Sequence, residues 1–166
     1  MFKYVKSLNA NQGRVLVPFT ITDASVISVG EAVKLTSGKL VTWGAGAAGL
    51  GVVESIKNAN GSAVTDNGAS ADFHGTYTAP TSNTVQAWVD VSKESVYSAP
   101  ADAALGTTTG SNLAGYNIDC DSTSQTLAES STVSTTASFF ILGLDTSADA
   151  PDNSLFVTVQ ESQKEI

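Results

Sequence analysis

Histidine and cysteine each occur once in these 166 residues, as His74 and Cys120. A single cysteine excludes an internal disulfide and a zinc site of the usual cysteine-rich kind. Flanked by Asp119 and Asp121, Cys120 is badly placed for a reactive thiolate, because nearby negative charge raises a thiol's pKa. It reads as a packed or idle residue. A lone histidine would leave any catalytic triad or histidine-based metal site resting on His74, and its context "DFHGTY" carries no G-x-S-x-G nucleophile motif. His74 reads as structural or as a surface residue. Charge is scarce as well: 14% of the residues are charged, against a usual quarter or so. No run of 18 apolar residues exists to span a membrane. The start, "MFKYVKSLNANQGRVLVPF", has no apolar stretch of signal-peptide length, so the chain reads as made in the cytoplasm, without a membrane partner. No amphipathic helical pattern of ten or more residues occurs.

What fills the composition is Ser, Thr, Ala, Gly and Val, which favours strands joined by small-residue turns. "RVLVPFTI" (14–21) reads as extended, with Pro18 marking an edge or a bend. "EAVKLTSGKLVTW" (31–43) predicts a hairpin turning at Ser37-Gly38. "GLGVVESI" (49–56) predicts the next strand. Residues 57–83 are rich in Asn, Gly, Ser and Thr, with a weak extended piece at 73–78, and read as an elaborated connection. "TVQAWVDVSKESVY" (84–97) alternates, with Val85, Ala87, Val89 and Val91 on one face and Gln86, Trp88 and Asp90 on the other. "APADAALG" (99–106) could make one helical turn. Short strands are expected at 115–121 and 125–130, a core strand at 138–144 and an alternating strand at 154–162. The expected fold is all-β, with two small barrel-like or sandwich-like units. An extended N-terminal arm (1–22) leads to an N-terminal unit (23–83) carrying the long loop 57–83. A C-terminal unit follows (84–166).

Charge is unevenly spread. Residues 1–80 carry six basic and five acidic groups, and residues 81–166 carry two basic and eleven acidic ones. An acidic half of this kind repels phosphate backbones, which argues against a nucleic-acid partner. The first 22 residues hold Lys3, Lys6 and Arg14 and no acid. Such a basic segment either lies on an acidic partner or is a solvated terminus.

"WGAGAAGLGVVES" (43–55) contains G-x-G-x-x-G at Gly44, Gly46 and Gly49. A dinucleotide site needs a helix N-terminus after that loop to receive the pyrophosphate. Here a valine-rich strand follows, so the glycines read as a connection between strands, and no cofactor is expected. Asp145, Asp149 and Asp152 cluster in one loop, and Asp119 and Asp121 in another. Neither matches the D-x-D-x-D-G calcium spacing, so solvated acids are the default and no metal is expected. No pair of carboxylates is singled out for glycoside hydrolysis. Trp88, on the polar face of its strand, and Trp43, beside the glycine loop, are candidates for subunit contact, or for cover by a neighbouring loop.

Two pieces of the chain, in order, carry a resemblance. One is "VGEAVKLTSGKLVTWGAGAAGLGVVES" (29–55). The other is "VQAWVDVSKESVYSAPADAALGTTTGSNLAGYNID" (85–119), followed by "STVSTTAS" and then "FFILGLD…DNSLFVTVQE". Together they resemble the capsid decoration, or cement, proteins of tailed bacteriophages. The resemblance implies a non-enzymatic all-β protein on the outer surface of the virion head. Such a protein would bridge subunits of the major capsid protein and commonly forms a homotrimer. It makes Phe2, Lys3, Tyr4, Lys6, Arg14, Trp43 and Trp88 the expected capsid or subunit contacts. The insertion 57–83 departs from the compact form of that family. The same composition suits a tail-tube or head-fibre subunit, or a cell-surface β-rich binding module.

Overall fold

Among the described residues extended segments follow one another, as the small-residue composition predicts. The computed structural model describes residues 1–9, 13–44, 49–62, 64, 75–82, 84–101, 114–121, 124–128, 138–148, 150 and 153–159. Among them there is no helix. The strands in chain order are β1 (Lys3–Ser7), β2 (Leu16–Thr20), β3 (Val26–Ser28), β4 (Ala32–Thr36), β5 (Lys39–Thr42), β6 (Gly51–Lys57), β7 (Thr76–Thr78), β8 (Gln86–Asp90), β9 (Ser95–Pro100), β10 (Asn117–Cys120), β11 (Leu127–Ala128), β12 (Phe139–Leu144) and β13 (Ser154–Val159).

The hairpin β4–β5 turns at Ser37-Gly38, where both residues take positive φ, 52° and 78°. That is the backbone a two-residue hairpin needs to match strand twist. The hairpin belongs to a five-stranded sheet ordered β2-β8-β6-β4-β5. β2 lies at its edge, where Pro18 is tolerated because no ladder donor is required on the outer side. The chain then bends, and a parallel bridge from Ile21 to Leu40 brings the two ends of this sheet together. A second sheet of six strands runs β1-β9-β13-β12-β10-β11, with a parallel bridge from Ala101 to Leu127. β3 and β7 form a small antiparallel pair.

Several expectations are corrected. The extended arm expected at 1–22 is drawn into the sheets where it is described. β1 pairs with β9, from Lys3↔Ser98 to Ser7↔Ser95, and β2 pairs with β8. The cause is tertiary: the partners lie 88 to 95 residues away for β1 and 66 to 74 for β2. The stretch 84–97 is two strands in two different sheets, so the division at 83/84 is displaced. Asp90 ends β8 by accepting bonds from the Ser92 N–H at 3.0 Å and the Ser95 hydroxyl at 2.7 Å, a side-chain turn that alternation does not reveal. The extended piece expected at 73–78 is strand β7 where it is described, and Val64, Tyr77 and Ala79 in the same connection are buried. The helical turn expected at 99–106 begins instead as strand, with Ala99 and Pro100 in β9; its later residues lie outside the described ones.

Each sheet wraps its own apolar interior. Ile21, Val33, Leu40, Val53, Ala87 and Val89 fill the first. Tyr97, Ile118, Leu127, Phe139, Ile141 and Val157 fill the second. The second interior also takes in Ala32, Trp43 and Val52 from the first sheet, so the two sheets share apolar contact. Trp43 is fully buried, its ring 5.1 Å from that of Phe139. It lies over Gly49, where a Cβ would fall 2.0 Å from the indole. Gly49 is therefore a glycine because the tryptophan needs its space, and the strand reading of this glycine loop holds where it is described: β6 follows directly. Gly46 lies outside the described residues.

A buried polar side chain secures the same junction. Gln125, positioned with φ 53°, accepts the Ala32 N–H at 2.7 Å and donates to the Trp43 carbonyl at 3.3 Å. Its carboxamide thus satisfies backbone groups at the open end of the β4–β5 hairpin, as burial demands. Glu31 is also buried. It accepts the Ser28 N–H at 2.7 Å and the Thr42 hydroxyl at 2.5 Å. Burial raises its carboxyl above the ordinary value, and those two hydrogen bonds only partly offset this.

Gly49→Ala should destabilise the protein at or beyond the upper end of the roughly 1–3 kcal/mol usual for overpacking, measured as a lower midpoint in urea. Glu31 contributes stability that is full below the ordinary carboxylate pKa and is lost as pH rises through its raised folded value. Glu31→Gln stays neutral, so the melting temperature of the variant should gain on that of the wild type as pH rises above the ordinary carboxylate value. A constant difference over that rise would contradict the raised carboxyl.

Candidate functional site

β1 alternates poorly, because one residue is displaced from register between Tyr4 and Lys6. Its ends are held by backbone bonds. The Phe2 N–H donates to the Gly30 carbonyl at 2.8 Å, and the Leu8 N–H to the Glu94 carbonyl at 2.7 Å. Gly30 has φ +82°, and a Cβ there would sit 2.8 Å from the Phe2 carbonyl oxygen. Phe2 turns inward and stacks on Phe139, ring centroids 4.6 Å apart. Lys3, Val5 and Lys6 remain exposed and Tyr4 is half-buried. β1, at the edge of its sheet, therefore carries two exposed lysines on either side of one exposed valine.

Arg14 anchors the segment behind β1. Its guanidinium lies 4.2 Å from the Tyr4 ring centroid, a favourable cation–π placement. It pairs with Glu54 and, at 3.2 Å, with Asp90. Burial alone would lower its pKa, but the two carboxylates outweigh that and hold it above its usual value. Asp90 is 1% exposed, so three donors converge on a buried carboxylate: Arg14 Nε, Ser92 N–H and Ser95 Oγ. Beneath them, burial first and the Asp90 charge second push the Tyr97 phenol well above its ordinary value.

Two depressions flank β1. The larger, of about 550 Å³, runs between Tyr4, Val5, Ser98, Asp145 and Phe156. The smaller, of about 300 Å³, is bordered by Tyr4, Arg14, Gly30, Glu54 and Val52. In the larger, Asp145 accepts the Ser98 hydroxyl at 2.5 Å and the Ser147 hydroxyl at 2.6 Å. Desolvation would raise this carboxyl, yet the serine bonds together with Lys3 hold it below the usual carboxylate range.

The structure sorts the expected contact residues. Lys3, Tyr4 and Lys6 lie together on β1. Phe2 and Trp43 are interior, 3% and 0% exposed, because each fills the space where the two sheets meet; neither is a surface contact. Arg14 is engaged by carboxylates of its own chain. Trp88 stands apart on β8, half-buried between Pro18 and Ser55, with the Lys57 ammonium 5.6 Å from its ring centroid. Asp90 and Gln125 carry the junction and were not singled out from the sequence. The only signal for Asp90 was its place on the polar face of an alternating strand.

The other chemistry-bearing residues that are described are held by burial or by hydrogen bonds within the chain. Burial, then Asp121, pushes the Cys120 thiol up to about 12. Asp119 accepts the Ser138 N–H at 3.0 Å, and Asp121 the Ser124 N–H at 2.7 Å. Among the described residues no group of three or more His, Cys, Asp or Glu is placed to hold a metal ion, and no helix is long and apolar enough to cross a membrane. His74, Asp149 and Asp152 lie outside the described residues. No family model matches the chain, and neither a curated protein nor a solved structure matches it.

Arg14→Ala should leave the Asp90 carboxylate buried without its cation and cost about 3 kcal/mol, the lower end for breaking a buried pair, because Arg14 itself is partly solvated. Arg14→Ala combined with Asp90→Asn should recover part of that loss in the same denaturation assay.

Proposed function

We propose that this chain is a non-enzymatic structural protein of a phage virion, bound to the outer surface of the icosahedral head. There it stabilises the lattice by bridging major capsid protein subunits, as a small closed oligomer, a trimer. The observation that carries the reading is the pair of exposed lysines on edge strand β1, Lys3 and Lys6 on either side of Val5, on a chain whose net charge is −8. A cationic edge strand on an acidic body gives the protein one face that favours an acidic partner, while the rest keeps particles apart. The resemblance in residues 29–55 and in the pieces between Val85 and Glu161 supplies the partner. Two β units that share apolar contact, without a helical hinge among the described residues, suit a clamp that must resist shear. Lys3, Lys6 and Tyr4 are the contacts this reading assigns, with Trp88 as a second contact on the first sheet.

The test is co-sedimentation with cognate tailed-phage heads that lack this protein. Saturable binding at a fixed ratio to the major capsid protein, with a raised melting temperature of the particles, is the expected result. Lys3→Glu with Lys6→Glu should weaken that binding about tenfold or more, and added salt should weaken the wild type. Absence of saturable binding would overturn the assignment.

A further inference from the structure

Leaving out β1, the two large sheets repeat one plan. In chain order the first uses β2, β4, β5, β6 and β8, and the second uses β9, β10, β11, β12 and β13. In both, the strand order is first, fifth, fourth, second, third. In both, the residue after the first strand bridges in parallel to the third, Ile21 to Leu40 and Ala101 to Leu127.

The agreement extends to single residues. Val33↔Gly51 in one corresponds to Ile118↔Phe139 in the other. The fourth strand is bulged at the same place, between Val53 and Ser55 and between Ile141 and Gly143. Gly30 and Gly115 both take positive φ. They donate to the carbonyls of Val53 and Ile141, whose own N–H groups return to Glu31 and Tyr116. Ile21 N–H meets the Val85 carbonyl where Ala101 N–H meets that of Asn153. One cross-strand core pair is even inverted in size: Phe19 faces Ala87, and Ala99 faces Leu155. Such compensation keeps the filled volume, which is what a core constrains.

We infer that the chain is a tandem duplication of one five-strand unit whose first strand offers its outer edge to an incoming strand, and that Pro18 closes this edge in the first copy while β1 fills it in the second. In the second copy Ser95–Ser98 pair with β1, Ser98 opposite Lys3. The aligned edge in the first copy is 15–18, with Pro18 in the place of Ser98. Val15 accepts from Val91, and Ile21 donates to Val85, so the odd residues of this strand turn their backbone groups toward β8. Leu16, Pro18 and Thr20 then turn theirs outward. Proline has no N–H, so the middle donor of the outer row is missing, and an exposed edge is blunted against pairing. Val15 and Leu16 are 51% and 38% exposed there, an apolar edge that invites another strand if the donor is restored. The occupant that this edge would take is a second copy of the chain, adding its own β2 antiparallel about a two-fold axis.

Two measurements on the full chain test this. Pro18→Ser gives the first copy the residue of the second. By sedimentation it should associate with rising concentration to about twice the wild-type mass; a folded variant with the wild-type mass throughout would overturn the role of Pro18. For the duplication, Phe19→Ala and Ala87→Leu are combined, which transplants the second copy's pair into the first. Each single change should lower the melting temperature and the double should restore most of the loss. A double variant no more stable than the worse single would overturn the equivalence.

Discussion

One indole joins the two sheets. Trp43 leaves the end of β5, lies over the bare α-carbon of Gly49 and tilts against Phe139, which in turn stacks on Phe2. Burying aromatic surface of this size contributes several kcal/mol, and here the gain falls between the sheets rather than inside either. The main chain of the same residue is tied to the second sheet through Gln125. Gly51 is bound by the same geometry, since a Cβ there would meet the Asp90 carbonyl oxygen at 2.1 Å. The glycine-rich stretch that spells a nucleotide fingerprint is thus accounted for, at these positions, by an aromatic ring and a neighbouring strand that need the room.

The second constraint is the handling of sheet edges. An unpaired strand edge carries a row of free donors and acceptors and invites association. This chain treats two equivalent edges differently: the first residues cover one, and a proline withdraws a donor from the other. Covering the edge also positions the molecule's cationic face. β1 is held at both ends by backbone bonds and from behind by Arg14 on Tyr4, and it displays Lys3 and Lys6. The same short segment therefore closes the fold and carries the surface on which the proposed capsid contact rests.

Much of the strand pattern was legible because its causes are local. Ser37-Gly38 turns by its own backbone preferences, Pro18 announces an edge by lacking a donor, and the apolar run 138–144 has the composition of a strand buried within a sheet. The arm, the break after Asp90 and the placement of the aromatics were not legible. Lys3 meets Ser98 and Arg14 meets Asp90 across 95 and 76 residues of chain, and no local pattern encodes such an address. The repeat was hidden for a related reason. Its two copies keep the same residue at few aligned positions, among them Gly30 and Gly115, Leu40 and Leu127, and Val89 and Val157. What they share is register, and register exists only once strands have paired.

By itself, the sequence determined that this is an all-β protein, because period-two alternation and turn residues act at short range. The tertiary structure alone decided which aromatics lie inside, which edges are closed and which lysines face outward. Those outcomes depend on partners far apart in the chain, and on whether a neighbouring backbone leaves room for a ring.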